Sequence, residues 1–220
     1  MFEATKIISQ NNDWMAFVFL MILFLLTLNK LFFNDRILHT STLFLQKRFL
    51  LIYYNKEKSV VFNLFQVIFF LIKILVISLI AYHINVFFKI YENINGLKGY
   101  SILLSGVVIY FLFHYLIGVF IAETLNFGKI YNKIVYEKIS YFNNLILWVL
   151  PFLIIYTYTH NFNTFFFNIL FFLSLLLLAI RYGLLLYNNK NLIFNNIFYF
   201  ILYLCALEIA PFVIILKLTN

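Results

Sequence analysis

The stretch Asn163–Tyr187, NTFFFNILFFLSLLLLAIRYGLLLY, decides the fold: 25 residues carry one formal charge, Arg181. A helix rises about 1.5 Å per residue, so about 20 mostly apolar residues cross the hydrocarbon core of a bilayer. Five further runs meet that requirement, at about 13–33, 59–88, 100–126, 139–160 and 192–217. The chain therefore reads as all-α: a polytopic transmembrane helical bundle of six spans, forming one integral membrane domain over residues 1–220. The runs lack the alternation of barrel strands, which are about 10 residues long. The first run is too long for a signal-peptide core and no small-residue cleavage site follows it, so it is expected to stay as a helix.

Composition excludes the soluble alternatives. Hydrophobic residues make up 65% of the chain and charged residues 11%, with a mean hydropathy of +0.97. The 16 basic and 8 acidic residues leave a net charge of +8, and the position of the basic ones reads as topology. Lys30, Arg36, Lys47, Arg48, Lys56 and Lys58 follow span 1, Lys129, Lys133 and Lys138 follow span 3, and Arg181 and Lys190 follow span 5. These 11 face Lys6, Lys89, Lys98 and Lys217 on the opposite side. Because cytoplasmic loops carry the excess of Lys and Arg, both termini are expected on the non-cytoplasmic side of a bacterial inner membrane. The basic excess then attracts anionic lipid rather than nucleic acid.

The longest connection, 34–58, has helical spacing at Leu38, Thr42, Leu45, Phe49 and Ile52. An amphipathic interfacial helix is expected over about 36–54, capped by Asn34 and Asp35, with Arg36, Thr40, Lys47 and Arg48 off its apolar face. It serves either as a membrane anchor or as a docking surface. Spans 4 and 5 are joined by Thr159–Thr164 and spans 5 and 6 by Asn188–Asn191; connections this short make each pair antiparallel neighbours. Ala122-Glu123-Thr124 and Leu207-Glu208-Ile209 occupy related late positions in spans 3 and 6, too short a likeness to define an inverted repeat of the transporter kind.

The polar residues inside the spans carry what functional signal there is, because a charge at the bilayer centre costs at least a few kcal/mol unless it faces a partner or cavity. Counted from the presumed cytoplasmic ends at 1.5 Å per residue, Lys73, His114 and Glu208 fall at roughly 20, 18 and 24 Å, one layer near mid-membrane. Glu123 and Arg181 fall at roughly 5 and 9 Å by the same count and form a candidate second ion pair. Three readings of Glu208 stand side by side: an ion pair with Lys73 that fixes spans 2 and 6, a proton or cation site with Lys73 and His114, and a contact to another subunit. Pro211, three residues on, frees backbone carbonyls one turn back and can distort the helix beside the carboxylate.

Cys205 is the sole cysteine, so neither an intrachain disulfide nor a cysteine metal cluster is expected. The chain lacks HExxH, Gly-x-Ser-x-Gly, carboxylates paired at metal spacing and a glycine-rich phosphate loop. His83 lies about 16 Å from the level of His114, badly placed to share a haem plane. No catalytic residue, metal or cofactor is therefore expected. The expected partners are the lipid bilayer and other membrane protein subunits.

The C-terminal Leu202-Tyr203-Leu204-Cys205-Ala206-Leu207-Glu208-Ile209-Ala210-Pro211, together with the six-span layout, resembles an uncharacterised, domain-of-unknown-function family of small inner-membrane proteins of bacteroidete-type bacteria. That resemblance implies location and architecture without an activity. Its lineage implies a secretion or gliding-type envelope machine as one candidate partner. The first functional expectation is accordingly a non-enzymatic subunit or assembly factor of a larger envelope complex. The alternative is a small proton- or cation-coupled transporter built on Glu208, Lys73 and His114.

Overall fold

The computed structural model describes residues 13–44, 63–90, 96–124, 128–159 and 164–195. Among them are six helices: α1 (Asp13–Phe32), α2 (Asn34–Ser41), α3 (Leu64–Phe88), α4 (Gly96–Thr124), α5 (Gly128–Tyr158) and α6 (Thr164–Asn195). Five are long and apolar enough to cross a membrane: α1, α3, α4, residues 131–158 of α5 and residues 164–189 of α6. The helical bundle expected from the sequence is thus present. Most of the run expected as a sixth span lies outside the described residues.

α3 and α5 form the centre. α3 packs on α1, α4 and α5, and α5 packs on α2, α3, α4 and α6. Their buried residues repeat at helical spacing, Phe65, Phe69, Ile72, Val76 and Leu79 on α3 and Tyr141, Leu145, Val149 and Leu153 on α5. Ile22 of α1 and Leu170 of α6 close the same core. At the end where α3 stops, rings take over: Phe87 stacks on Phe167 at 3.9 Å, and Trp14 meets Tyr82 and Tyr100, each at 5.1 Å between ring centroids. α4 lies outermost and leaves Leu97, Ile102, Leu112, Phe113, Leu116 and Phe120 exposed.

Local chemistry sets the ends of α3. The Asn63 side chain accepts the Phe65 N–H at 3.4 Å and caps its start. The helix ends on Lys89, held in the left-handed region at φ 50°. Gly96, at φ 67°, opens α4 in the conformation glycine tolerates best and gives its N–H to the Tyr82 hydroxyl at 3.1 Å. Close approach matters once. A Cβ on Gly118 of α4 would overlap the Tyr131 hydroxyl of α5.

Three sequence expectations about element ends change. α2 stops at Ser41, and Thr42 is its C-cap rather than a point along a helix to residue 54. Its N-cap is Phe33, with no side-chain capping bond, so Asn34 and Asp35 lie inside the first turn instead of capping it. Thr40 faces the bundle, its hydroxyl donating to the Arg36 carbonyl at 2.7 Å, and the Trp148 indole N–H of α5 donates to the Ser41 carbonyl at 3.2 Å. Lys47 and Arg48 lie outside the described residues.

The second change is at Asn188–Asn191, read as a turn and found inside α6. Asparagine favours turns because its amide competes for local backbone groups. Here the amides are taken by α5: Asn188 Nδ2 donates to the Tyr141 hydroxyl at 2.7 Å and Asn189 Nδ2 to Glu137 Oε2 at 2.6 Å. Thirdly, α5 begins at Gly128 rather than near 139, which places Lys138 on a helix instead of in a linker. Thr159 ends the described part of the α5–α6 connection, and the two helices are neighbours as that short link requires.

Candidate functional site: a buried cationic layer

On α6, Phe167, Leu170, Leu177 and Arg181 are buried. Their spacing puts Arg181 on the face that packs inward. On α3, Lys73 follows Ile72 on the core face and is only 4% exposed. Both cations are therefore carried inside by the apolar residues of their own helices.

They meet across one ring. Lys73 Nζ lies 5.0 Å from the centre of Phe142 on α5, and 6.0 Å from those of Phe70 and Phe111. Arg181 Cζ lies 4.5 Å from the centre of the same Phe142 ring and 5.3 Å from that of Tyr182. Aromatic faces carry negative potential and stabilise a desolvated cation by up to about 2 kcal/mol. The Arg181 guanidinium also donates through Nη2 to the Lys138 carbonyl at 3.4 Å. Lys73 lies within electrostatic range of both Arg181 and Lys138. Lys138 Nζ is 3.5 Å from His114 Nε2, and the His114 ring stacks on Tyr110 at 5.9 Å.

Next to the cations runs a set of hydrogen bonds between helices. Asn143 Nδ2 donates to Gln66 Oε1 at 2.9 Å, joining α5 to α3. Buried Glu137 accepts from Asn189, joining α5 to α6. Each links helices that apolar packing alone would leave free to slide.

The expected groupings are redrawn. Glu123 and Arg181 are not brought together: Glu123 is exposed on the last turn of α4, while Arg181 is buried against Phe142. Arg181 instead stands over the Phe142 ring that Lys73 also faces. His114 belongs to the same neighbourhood but faces Lys138. Arg36 lies over the Phe33 and Phe65 rings, at 5.4 and 5.7 Å. Glu208, Pro211 and Cys205 lie outside the described residues.

Phe142 and Glu137 were not singled out in the sequence, and Lys138 was read only as a linker charge. Glu137, Tyr141 and Asn144 fall on one helical face four and three residues apart, and all three are buried. That phase was the available signal, hidden by placing residues 129–138 in a linker. The arrangement holds positive charge in aromatic, hydrogen-bonded surroundings shared by four helices.

No curated protein and no solved structure matches the chain. Residues 15–219 match the model of a family described as a domain of unknown function (DUF4271). The match covers nearly the whole sequence, including the layer built from α3, α4, α5 and α6, and the chain belongs to that family.

Proposed function

We propose that this chain is a non-enzymatic subunit or assembly factor of a larger envelope complex in a bacterial inner membrane, with both termini on the non-cytoplasmic side. The surface open to a partner, as to lipid, is α4. It is 29 residues long, yet it leaves large apolar side chains exposed along its whole length, from Leu97 to Phe120. The interior supports a scaffold role: Asn143 with Gln66 and Asn189 with Glu137 tie helix to helix. A secretion or gliding-type machine is one such complex. Gentle detergent extraction of the tagged chain, followed by mass spectrometry of what accompanies it, tests the reading. A companion at fixed stoichiometry is expected, and its release on Leu116→Arg, on the outer face of α4, would assign the surface. Recovery of the chain alone from several mild detergents sinks the proposal.

The transport alternative, a proton- or cation-coupled path through Glu208, Lys73 and His114, draws less support. Three rings surround the Lys73 ammonium, whereas a coupling ion needs water at its site. Glu208→Gln separates the two readings. Lower protein abundance with unchanged flux per molecule favours packing, and lost flux at normal abundance favours transport.

A further inference from the structure

We propose that Asn29, Asn143 and Asn144 line an internal water site where α1, α2, α3 and α5 meet, so that bound water ties the end of α1 to the middle of α5.

Helix phase carries these amides inside. Asn29 continues the buried stripe of α1 formed by Met15, Val18, Phe19 and Ile22. It is fully buried, as are Asn143 and Asn144 on α5. Register then brings the three to one level. α1 and α3 run antiparallel, with Trp14 on Tyr82 and Phe33 on Phe65. Asn29 lies one turn back from Phe33, which sets it one turn along α3 from Phe65, at Phe69. α3 and α5 run parallel, with His83 at Thr157 and Gln66 bonded to Asn143. Asn143 and Asn144 therefore stand within about one turn of Asn29 along the bundle.

α2 closes the junction from the side. Its chain leaves α1 at this point, the Phe33 N–H donating to the Asn29 carbonyl at 2.9 Å. On α5, Asn144 stands between Tyr141 and Trp148, which meet Phe44 and the Ser41 carbonyl. Buried Thr40 gives its hydroxyl proton to the Arg36 carbonyl, so its oxygen keeps a lone pair to accept with.

Hydrogen-bond accounting identifies the ligand. Asn143 Nδ2 donates to Gln66, but Asn143 Oδ1 and the Oδ1 and Nδ2 atoms of both Asn29 and Asn144 have no hydrogen-bond partner among the described residues. Such groups are costly to leave unpaired, and hydrocarbon offers them nothing. The open atoms are oxygens that accept and amide nitrogens that donate. A metal cation would satisfy only the oxygens, and an anion only the N–H groups. Water serves both, and a buried water makes about three such bonds. The site lies within one chain and does not depend on the partner proposed for α4.

Water-edited solid-state NMR tests the site on the full chain in phosphatidylcholine vesicles, with isotope-labelled asparagine and leucine. Asn29→Gln, Asn144→Gln and Leu153→Ile each delete one labelled signal and so assign it. Magnetisation from water is expected to reach the side-chain amides of Asn29 and Asn144 at least twice as fast as the backbone amide of Leu153, which lies in the apolar core. Transfer to either amide no faster than to Leu153 overturns the proposal. Sharing of the water is read in Asn144→Leu, which is expected to at least halve transfer to Asn29. Asn29→Leu, read at Asn144, is the reciprocal variant should the first insert poorly. Unchanged transfer in a well-inserted variant overturns the shared site.

Discussion

The two halves of the bundle are held by different means. Where α1 starts and α3 ends, the contacts are rings and aliphatic side chains: Trp14 on Tyr82, Phe87 on Phe167, His83 on Tyr156 at 4.9 Å, with Leu79, Val149 and Leu153 fully buried beneath. Toward the start of α5 and the end of α6, the interior contains Gln66, Lys73, Glu137, Asn143, Arg181 and Asn189. The first half holds through shape, the second through charge and directed hydrogen bonds. In lipid this difference matters more than in water, because the tails offer apolar contact as good as the protein's own, while buried polar groups find their partners only between helices.

If shape dominates the first half, the largest single effect comes from emptying it. Leu153, at 0% exposure, packs in the core cluster with Ile72, Val76 and Val149. Leu153→Ala removes its contacts and leaves a cavity, a change that costs about 3 kcal/mol at a site of this burial. Reversible unfolding in detergent measures it. A cost below about 1 kcal/mol, the range of a tolerated volume-conserving swap, would mean that this half relaxes around voids and is not the rigid one.

The charged half is tested by a change that keeps an apolar side chain and removes the ring, with the lost packing volume matched in a control. Phe142→Leu takes the shared aromatic face from both Lys73 and Arg181 and is expected to cost about 2 kcal/mol, the scale of a desolvated cation–π contact. Phe167→Leu, at the stacked pair with Phe87, is the matching control, and loss of such a ring pair costs about 1 kcal/mol. Equal costs would erase the distinction between the halves, because Phe142 would then be acting as packing volume alone.

The apolar half was also the legible one. Runs of 20 or more apolar residues announce helices whatever their partners, and the short link at Thr159–Thr164 forces α5 and α6 together. Polar residues misled at the ends. Asn188 and Asn189 look like a turn because their local preference is for one, whereas their amides are engaged by Tyr141 and Glu137, 47 and 52 residues away, and by Leu185 one turn back. Depth counting paired Arg181 with Glu123, whereas Glu123 is exposed and Arg181 is buried over Phe142. Lys73 was found because it stands within an apolar run. Lys138 was passed over because it stands beside other charges, though α5 carries it to His114.

The smallest expected effect lies at a side-chain link between α3 and α5 in the ring-packed end, His83 with Thr157. Thr157 Oγ1 donates to the Leu153 carbonyl at 2.8 Å, so its hydroxyl proton is committed. At 3.0 Å from Thr157 Oγ1, His83 Nε2 must therefore be the donor, and Nδ1 carries the lone pair. Nδ1 has no hydrogen-bond partner among the described residues, so moving the ring proton there gains nothing from them. Thr157→Val keeps the shape, removes the acceptor and leaves the Nε2 proton unpaired beside the Tyr156 ring. A hydrogen bond between membrane helices is worth about 0.6 kcal/mol on average, and that is the expected loss. Thr157→Ser, which keeps the oxygen, should recover most of it. A loss several times larger, recovered by serine, would show that the ring-packed end also depends on a directed bond, and the contrast between the two halves would then lie in how many such bonds each contains.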